Sequence, residues 1–209
     1  MLVFMQLPGG DSALVQIMDA ALAEAARRSG RWLVCRPGCT QCCHGAFAIN
    51  ALDALRLRAG MEELRAGQPA LAADLERRAH AWLDEHLPSF PGDPETGLLG
   101  SSDAERERFE NFANEAACPA LNPATGLCDV YAWRPMTCRV FGPPVQMEAG
   151  KGTALGCCEL CFVGASEDEI AACEMPVPRE TEERLLSEMG EAIGTGEAAE
   201  TVVAFALLP

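Results

Sequence analysis

Apolar residues recur every three or four positions along several stretches of the chain, and this period predicts amphipathic helices. The first begins at Asp11 or Ser12 as its cap and runs to about Ser29, where Gly30 would end it. The others are expected at Asn50 to near Gly67, Pro69 to about His86, Ser101 or Ser102 through Ala116, Ser166 to near Cys173, and about Pro178 to Ile193. The pattern therefore predicts a mainly α protein, a single helical domain over residues 1–209.

Between Cys118 and Gly164 the helical period is lost, because prolines and glycines interrupt the chain repeatedly. A connection of roughly 45 residues without regular elements is unusual in a compact domain. Cysteines are frequent in this stretch, so metal–sulfur bonds are a candidate for what orders it. The apolar end, Val202 to Leu208, is expected to be either a docking strand or a frayed tail.

The formal net charge of −15 argues against nucleic acid and anionic membranes as partners. The start of the chain, Met1 to Pro8, has no Lys or Arg before its short apolar run, so it does not have the pattern of a secretory signal. We therefore expect a cytoplasmic protein, in which thiols stay reduced. Eleven cysteines in that compartment indicate metal binding rather than disulfides.

The densest cysteine pattern is Cys35-x3-Cys39-x2-Cys42-Cys43. Pro37 bends the backbone together with Gly38, so that the flanking sulfurs can converge on one point. Thiolate sulfur at such spacing is what a soft metal ion or an iron–sulfur cluster requires.

A second pattern reads C-P-A-L from Cys118 and then C-D-V-Y-A-W-R-P-M-T-C-R from Cys128 to Arg139. In this order the two patterns resemble the YkgJ-type cysteine-cluster family, whose members are described as zinc- or iron-chelating proteins. The resemblance covers Cys35 to about Phe141, which would form the cysteine-cluster core. It implies metal binding and leaves the choice between zinc and iron open.

A third group, Cys157-Cys158-x2-Cys161, lies in a cysteine-rich segment, 157–173, that extends the core together with the C-terminal helix. The spacings Cys39-x2-Cys42 and Cys158-x2-Cys161 would suit a four-thiolate Zn²⁺ site, which is the alternative. The chain holds more thiols than one zinc needs, which favours an iron–sulfur cluster, expected as [4Fe–4S]. The preferred ligands are Cys39, Cys42, Cys128 and Cys138, and further candidates are Cys35, Cys43, Cys118, Cys158 and Cys161.

Two arginines flank Cys138, and each has two interpretations. Arg134 and Arg139 either stabilise an anionic cluster or serve as ion-pair partners in an acidic protein. His44 follows the Cys-Cys pair and is either a ligand or a hydrogen-bonding neighbour of the site.

No P-loop, dinucleotide fingerprint or nucleophile elbow occurs, so the sequence identifies no catalytic residues. The functional hypothesis is electron transfer, or the redox part of an oxidoreductase, with a protein redox partner or client. The alternatives are a zinc module whose ordered loops bind a protein partner, and metal storage or delivery.

Overall fold

Helices make up most of the regular structure in the computed structural model, which describes residues 6–149, 152–193 and 199–209. The mainly α prediction is confirmed. The helices in these ranges are α1 Asp11–Ser29, α2 Ala51–Gly67, α3 Pro69–His86, α4 Asp103–Glu110, α5 Met136–Arg139, α6 Glu167–Ala171, α7 Arg179–Ile193 and α8 Val203–Ala206. The strands are short and pair antiparallel: β1 Ile49–Asn50 with β6 Glu200–Thr201, β2 Gly92–Asp93 with β3 Leu98–Leu99, and β4 Val145–Ala149 with β5 Gly152–Gly156.

The chain divides into two compact units. The first unit combines Met1–Leu7, Pro37–Pro135 and Leu186–Pro209, and the second combines Pro8–Arg36 and Met136–Leu185. The expectation of a single domain over the whole chain stays a prediction. No helix in the described ranges is both long enough and apolar enough to cross a membrane.

The core of the first unit lies between α2, α3 and α8. The side chain of Asn50 caps α2 by accepting a hydrogen bond from the Asp53 N–H at 3.0 Å, as the sequence predicted. Ile49 pairs with Thr201, which brings the end of the chain to the start of α2. Residues 202–207 are mostly buried and include helix α8, so the apolar end does dock onto the core, but as a short helix and neither as a strand nor as a frayed tail.

Helix α2 continues through Gly60, where the glycine permits close packing. A Cβ atom at this position would lie 2.5 Å from Cγ of Trp133, which belongs to the 3-10 turn Tyr131–Trp133. The missing side chain therefore lets the cysteine-bearing segment approach the helix.

Helix α4 is shorter than predicted. Its capping box, Ser102 with Glu105, is present, but the helix ends at Glu110 instead of continuing to Ala116. Ala113 adopts a left-handed backbone conformation, φ +51°, which a continuous α-helix cannot contain. The turn directs Phe112 against Trp82 and Phe90, each 5.8 Å away between ring centroids, so the inward-facing aromatic packs without a helix.

The second unit contains α1, α5, the β4–β5 hairpin, α6 and the first part of α7. Helix α1 ends at Gly30, φ +47°, as predicted, but its cap is Gly10 rather than Asp11 or Ser12. The Asp11 N–H already donates to the Pro8 carbonyl at 3.0 Å, so the helical turn begins one residue earlier than the side-chain pattern indicates. Helix α6 begins with the predicted capping box of Ser166 and Glu169.

The stretch from Cys118 to Gly164 holds more regular structure than the sequence indicated. It contains the turn Tyr131–Trp133, helix α5 and the β4–β5 hairpin, in which Val145 pairs with Gly156. The backbone hydrogen bonds of this stretch are satisfied by strand pairing across the hairpin. The glycine-rich sequence has neither a helical nor an alternating pattern that would have predicted this pairing. Gly150, which the breaker pattern includes, lies outside the described residues.

Candidate metal centre

Four cysteines of the first unit are brought together by two chain segments that run antiparallel. The Cys118 N–H donates to the Cys43 carbonyl at 2.7 Å, and the Gly45 N–H donates to the Ala116 carbonyl at 2.9 Å. Gly45 adopts φ +85°, and a Cβ atom there would lie 3.1 Å from the Asn114 carbonyl oxygen. This pairing places Cys42 and Cys43 beside Cys118.

A tight turn then returns the chain to bring in Cys128. The Asn122 N–H donates to the Leu127 carbonyl at 2.8 Å, and the Asp129 N–H donates to the Ala120 carbonyl at 2.9 Å. Leu121 and Cys128 therefore face each other across an antiparallel bridge. We call Cys42, Cys43, Cys118 and Cys128 the first thiol group.

The thiols of this group influence one another's protonation. A hydrogen bond between the Cys42 and Cys43 thiols lowers the pKa of Cys42 to about 6 and raises the pKa of Cys43. Burial raises the pKa of Cys118 to about 12 and also raises the pKa of Cys128. Negative charge on Cys42 disfavours a second thiolate nearby, so without a compensating cation the group holds few negative charges at once.

Backbone N–H groups meet two of these sulfurs. Cys118 accepts hydrogen bonds from the N–H groups of Ala120 and Leu121, and Cys128 accepts one from the N–H group of Val130. Each bond favours the thiolate form over the neutral thiol. N–H donors also stabilise the negative charge of a thiolate that is bound to a metal.

Arg134 supplies a positive charge to the first thiol group. Its side chain is 8% exposed, its guanidinium lies 3.9 Å from the Tyr131 ring centroid, and it donates to the Tyr131 carbonyl at 2.8 Å. That charge acts to lower the pKa of both Cys42 and Cys128. The arginine therefore favours the thiolate forms of Cys42 and Cys128.

Sequence reasoning missed a polar network that anchors the loop of Cys118 and Cys128 to α3. Arg78 donates to Asp129 at 2.6 Å and to the Pro119 carbonyl at 2.8 Å, and Asn122 donates to Asp129 at 3.2 Å. Arg78 and Asp129 are each 12% exposed. The available signal was an acidic residue directly after Cys128 together with Asn122-Pro123, a typical turn start.

Cys35 and Cys161 lie in the second unit, and we call them the second thiol group. The Sγ atoms of Cys35 and Cys161 are 3.9 Å apart, and the Phe162 N–H donates to the Trp32 carbonyl at 2.9 Å, which holds the two segments together. Charge on Cys161 contributes, after burial, to a raised pKa of Cys157. Cys158 and Cys173 are buried in one apolar cluster with Cys161.

The preferred ligand set from the sequence spans both units. Cys39, Cys42 and Cys128 belong to the first unit, whereas Cys138 lies on α5 in the second. Arg139, next to Cys138, is 1% exposed and donates to Asp19 of α1 at 2.5 Å. His44 is exposed and pairs through its backbone with Ala117. Ligation by the nine candidate cysteines and the cluster role of the two arginines stay predictions.

The chemistry of the first thiol group fits a soft metal. Within the ranges that the structure describes, no three His, Cys, Asp or Glu side chains already stand in the arrangement of a metal site. The first thiol group offers sulfur, which suits zinc, iron or an iron–sulfur cluster and does not suit magnesium or calcium. Ligation would replace the hydrogen bond between Cys42 and Cys43 with metal–sulfur bonds.

A mainly α scaffold whose irregular loops gather thiols from distant parts of the chain defines a cysteine-cluster metal-binding protein. The chain matches the CxxCxxCC family, described as a "putative zinc- or iron-chelating domain", over residues 34–161, more than half of its length, and it belongs to this family. The resemblance drawn from the two cysteine patterns is therefore confirmed. The family description supports metal binding, with zinc or iron as the metal. No curated protein and no solved structure matches the chain.

Proposed function

We propose that the protein carries an iron–sulfur cluster, expected as [4Fe–4S], in its first unit and acts in electron transfer or as the redox part of an oxidoreductase. The observation that carries the proposal is the first thiol group, whose four sulfurs come from residues as far apart as Cys42 and Cys128. Four thiolates are the usual protein contribution to such a cluster. A bound cluster would supply one-electron transfer.

The surroundings of the first thiol group support an anionic centre. The N–H groups directed at Cys118 and Cys128, with the charge of Arg134, would offset the negative charge of the thiolates and raise a reduction potential. Cys39 is half-buried on the adjacent loop, where Gly38 lies beside Gly126, and it is the further candidate ligand in this unit.

The side chains next to Cys128 offer a surface for a protein redox partner. Leu127 is 47% exposed and Tyr131 is 61% exposed, so apolar atoms lie on the surface on both sides of this cysteine. Electron-transfer partners form small, transient interfaces, for which a short apolar patch suffices. With a net charge of −15, a basic partner would be favoured.

A zinc module is the second candidate, and the second thiol group favours it. Two thiolates on one tetrahedral Zn²⁺ with bonds of about 2.3 Å are about 3.8 Å apart. The observed separation of the Cys35 and Cys161 sulfurs is 3.9 Å, close to that value. In this hypothesis zinc orders the loops, and the ordered loops bind a protein partner.

Anaerobic purification followed by iron, sulfide and zinc analysis tests the proposal. We expect iron and acid-labile sulfide in equal amounts, a brown protein with broad absorbance in the violet, and bleaching by dithionite. Colourless protein with stoichiometric zinc and no sulfide would reject the cluster and leave the zinc module.

A further inference from the structure

A cavity of about 300 Å³ lies beside α2 in the first unit, and no cysteine lines it. Leu55 and Met61 of α2, with Leu208 near the end of the chain, supply apolar surface. Arg58 and Arg65 supply positive charge. A volume of this size is at the lower end of what small-molecule sites occupy.

The guanidinium of Arg58 lacks acceptors for two of its nitrogens. Nε and Nη1 are buried and make no hydrogen bond, and burial lowers the pKa of this arginine. None of the carboxylates in the described part of the chain forms an ion pair with it. A charged donor that is removed from water without an acceptor is costly, and an acceptor that the side chain can turn toward relieves that cost, an anion most strongly.

Arg65 repeats this feature on the same face of the helix. It lies seven residues after Arg58, close to two helical turns. Its Nε donates to Glu76 at 2.7 Å, but its Nη2 is buried without an acceptor. Glu62 also lines the cavity, yet it is exposed and pairs with neither arginine among the described interactions. Positive donors therefore outnumber acceptors around the cavity, in a protein that is strongly acidic overall.

We propose that this cavity binds a small organic anion, with its oxyanion head against Arg58 and Arg65. The planar guanidinium group matches carboxylate and phosphate oxygens in a two-point hydrogen bond, which a lone ammonium cannot do. The apolar wall of Leu55, Met61 and Leu208 would hold the body of the ligand. This binding site is independent of the metal centre, so it stands whichever metal the thiols bind.

Isothermal titration calorimetry on the full chain as purified, with its metal, tests the site. The probes are hexanoate, which has both head and apolar body, and inorganic phosphate, which has the head alone. We expect saturable binding of one hexanoate per chain and weaker binding of phosphate. No saturable binding of either probe up to about 10 mM, well above the range of a specific weak site, would overturn the proposal.

A matched pair of variants assigns the binding to the cavity. Arg58→Gln removes the charge and should weaken hexanoate binding by about tenfold or more. Arg77→Gln, on the exposed face of α3 where the arginine pairs with its neighbour Asp74, should leave the affinity unchanged. Equal affinities of the two variants would overturn the proposal.

A third variant tests the cavity if circular dichroism shows that Arg58→Gln does not fold. Ala59 lines the cavity, so Ala59→Leu reduces its volume and leaves both arginines in place. Loss of hexanoate binding in a folded Ala59→Leu protein supports the site. Unchanged binding overturns it.

Discussion

At the scale of single residues, the surroundings of each cysteine separate possible ligands from packing residues. Cys128 interacts with the charge of Cys42 and accepts a hydrogen bond from a backbone N–H group. Cys173, in contrast, is 6% exposed and packs with Phe162 and Ile170 in an apolar cluster. A buried cysteine among apolar neighbours behaves as a small hydrophobic side chain. Cys173, which the sequence did not single out as a ligand, therefore serves as the reference for a packing cysteine.

Replacement of Cys128 by serine should remove the metal of the first unit. A serine hydroxyl is a poor ligand for a soft metal. Loss of a side chain that only hydrogen-bonds to a ligand already lowers metal affinity by up to about 100-fold, so we expect the loss of a ligand itself to lower it by about 100-fold or more. The measurement is metal content after gel filtration under anaerobic conditions. Cys173→Ser is the matched control and should keep the iron; equal retention in both variants would remove Cys128 from the ligand set.

At the scale of elements, close packing and one buried ion pair hold the cysteine-bearing loops against the helices. Gly60 lets Trp133 lie against α2, and Arg78 of α3 binds both Pro119 and Asp129. These contacts fix the two ends of the segment that carries Cys118 and Cys128. The helices therefore act as supports that set where the sulfurs meet.

An alanine at position 60 should destabilise the protein although alanine favours helices. The new Cβ would meet the Trp133 ring at 2.5 Å, and overpacking of this kind costs about 1–3 kcal/mol, against a gain of about 1 kcal/mol in helix propensity. Urea unfolding measures the difference. Gly67→Ala, where a Cβ would meet nothing within 4 Å, should instead be neutral or stabilising by up to about 1 kcal/mol. The same stability change at both positions would contradict the packing argument.

Loss of the Asp129 charge should loosen the loop of the first thiol group. Asp129→Asn weakens the contact with Arg78, whose side chain is 12% exposed, and a largely buried charged hydrogen bond is worth about 1.5–3 kcal/mol. We expect lower unfolding free energy in urea and weaker metal retention. Glu24→Gln, which removes an exposed pair with Arg27, should leave the unfolding free energy nearly unchanged. Unaltered metal retention in Asp129→Asn would show that the ion pair does not position the ligands.

Local sequence signals predicted where helices begin better than they predicted how the cysteine loops fold. The caps at Asn50, Ser102 and Ser166 depend on residues three positions apart, so the sequence contains all the information needed. The β4–β5 hairpin depends on strand register. The turn at 122–127 depends on Arg78, which comes from a helix distant in sequence and binds Asp129. Convergence of Cys42 with Cys118 likewise follows from pairing of segments more than 70 residues apart, which no local pattern encodes.

At the scale of the whole molecule, the chain combines two compact units, each with its own thiol group. Membership of the zinc- or iron-chelating family supports metal binding by this chain. The division of the thiols between the units means that the metal content and the kind of metal have to be assigned to each group separately. The central claim concerns the first group: Cys42, Cys43, Cys118 and Cys128 converge on one metal centre.

Cysteine footprinting tests that claim most directly. The protein as purified is treated anaerobically with an alkylating reagent, before and after removal of the metal, and each site is quantified by mass spectrometry, with the unfolded chain as the reference for full labelling. We predict that Cys42, Cys43, Cys118 and Cys128 are protected together while metal is bound and become reactive together when it is removed. Labelling of these four cysteines at independent rates that metal removal leaves unchanged would contradict a shared centre.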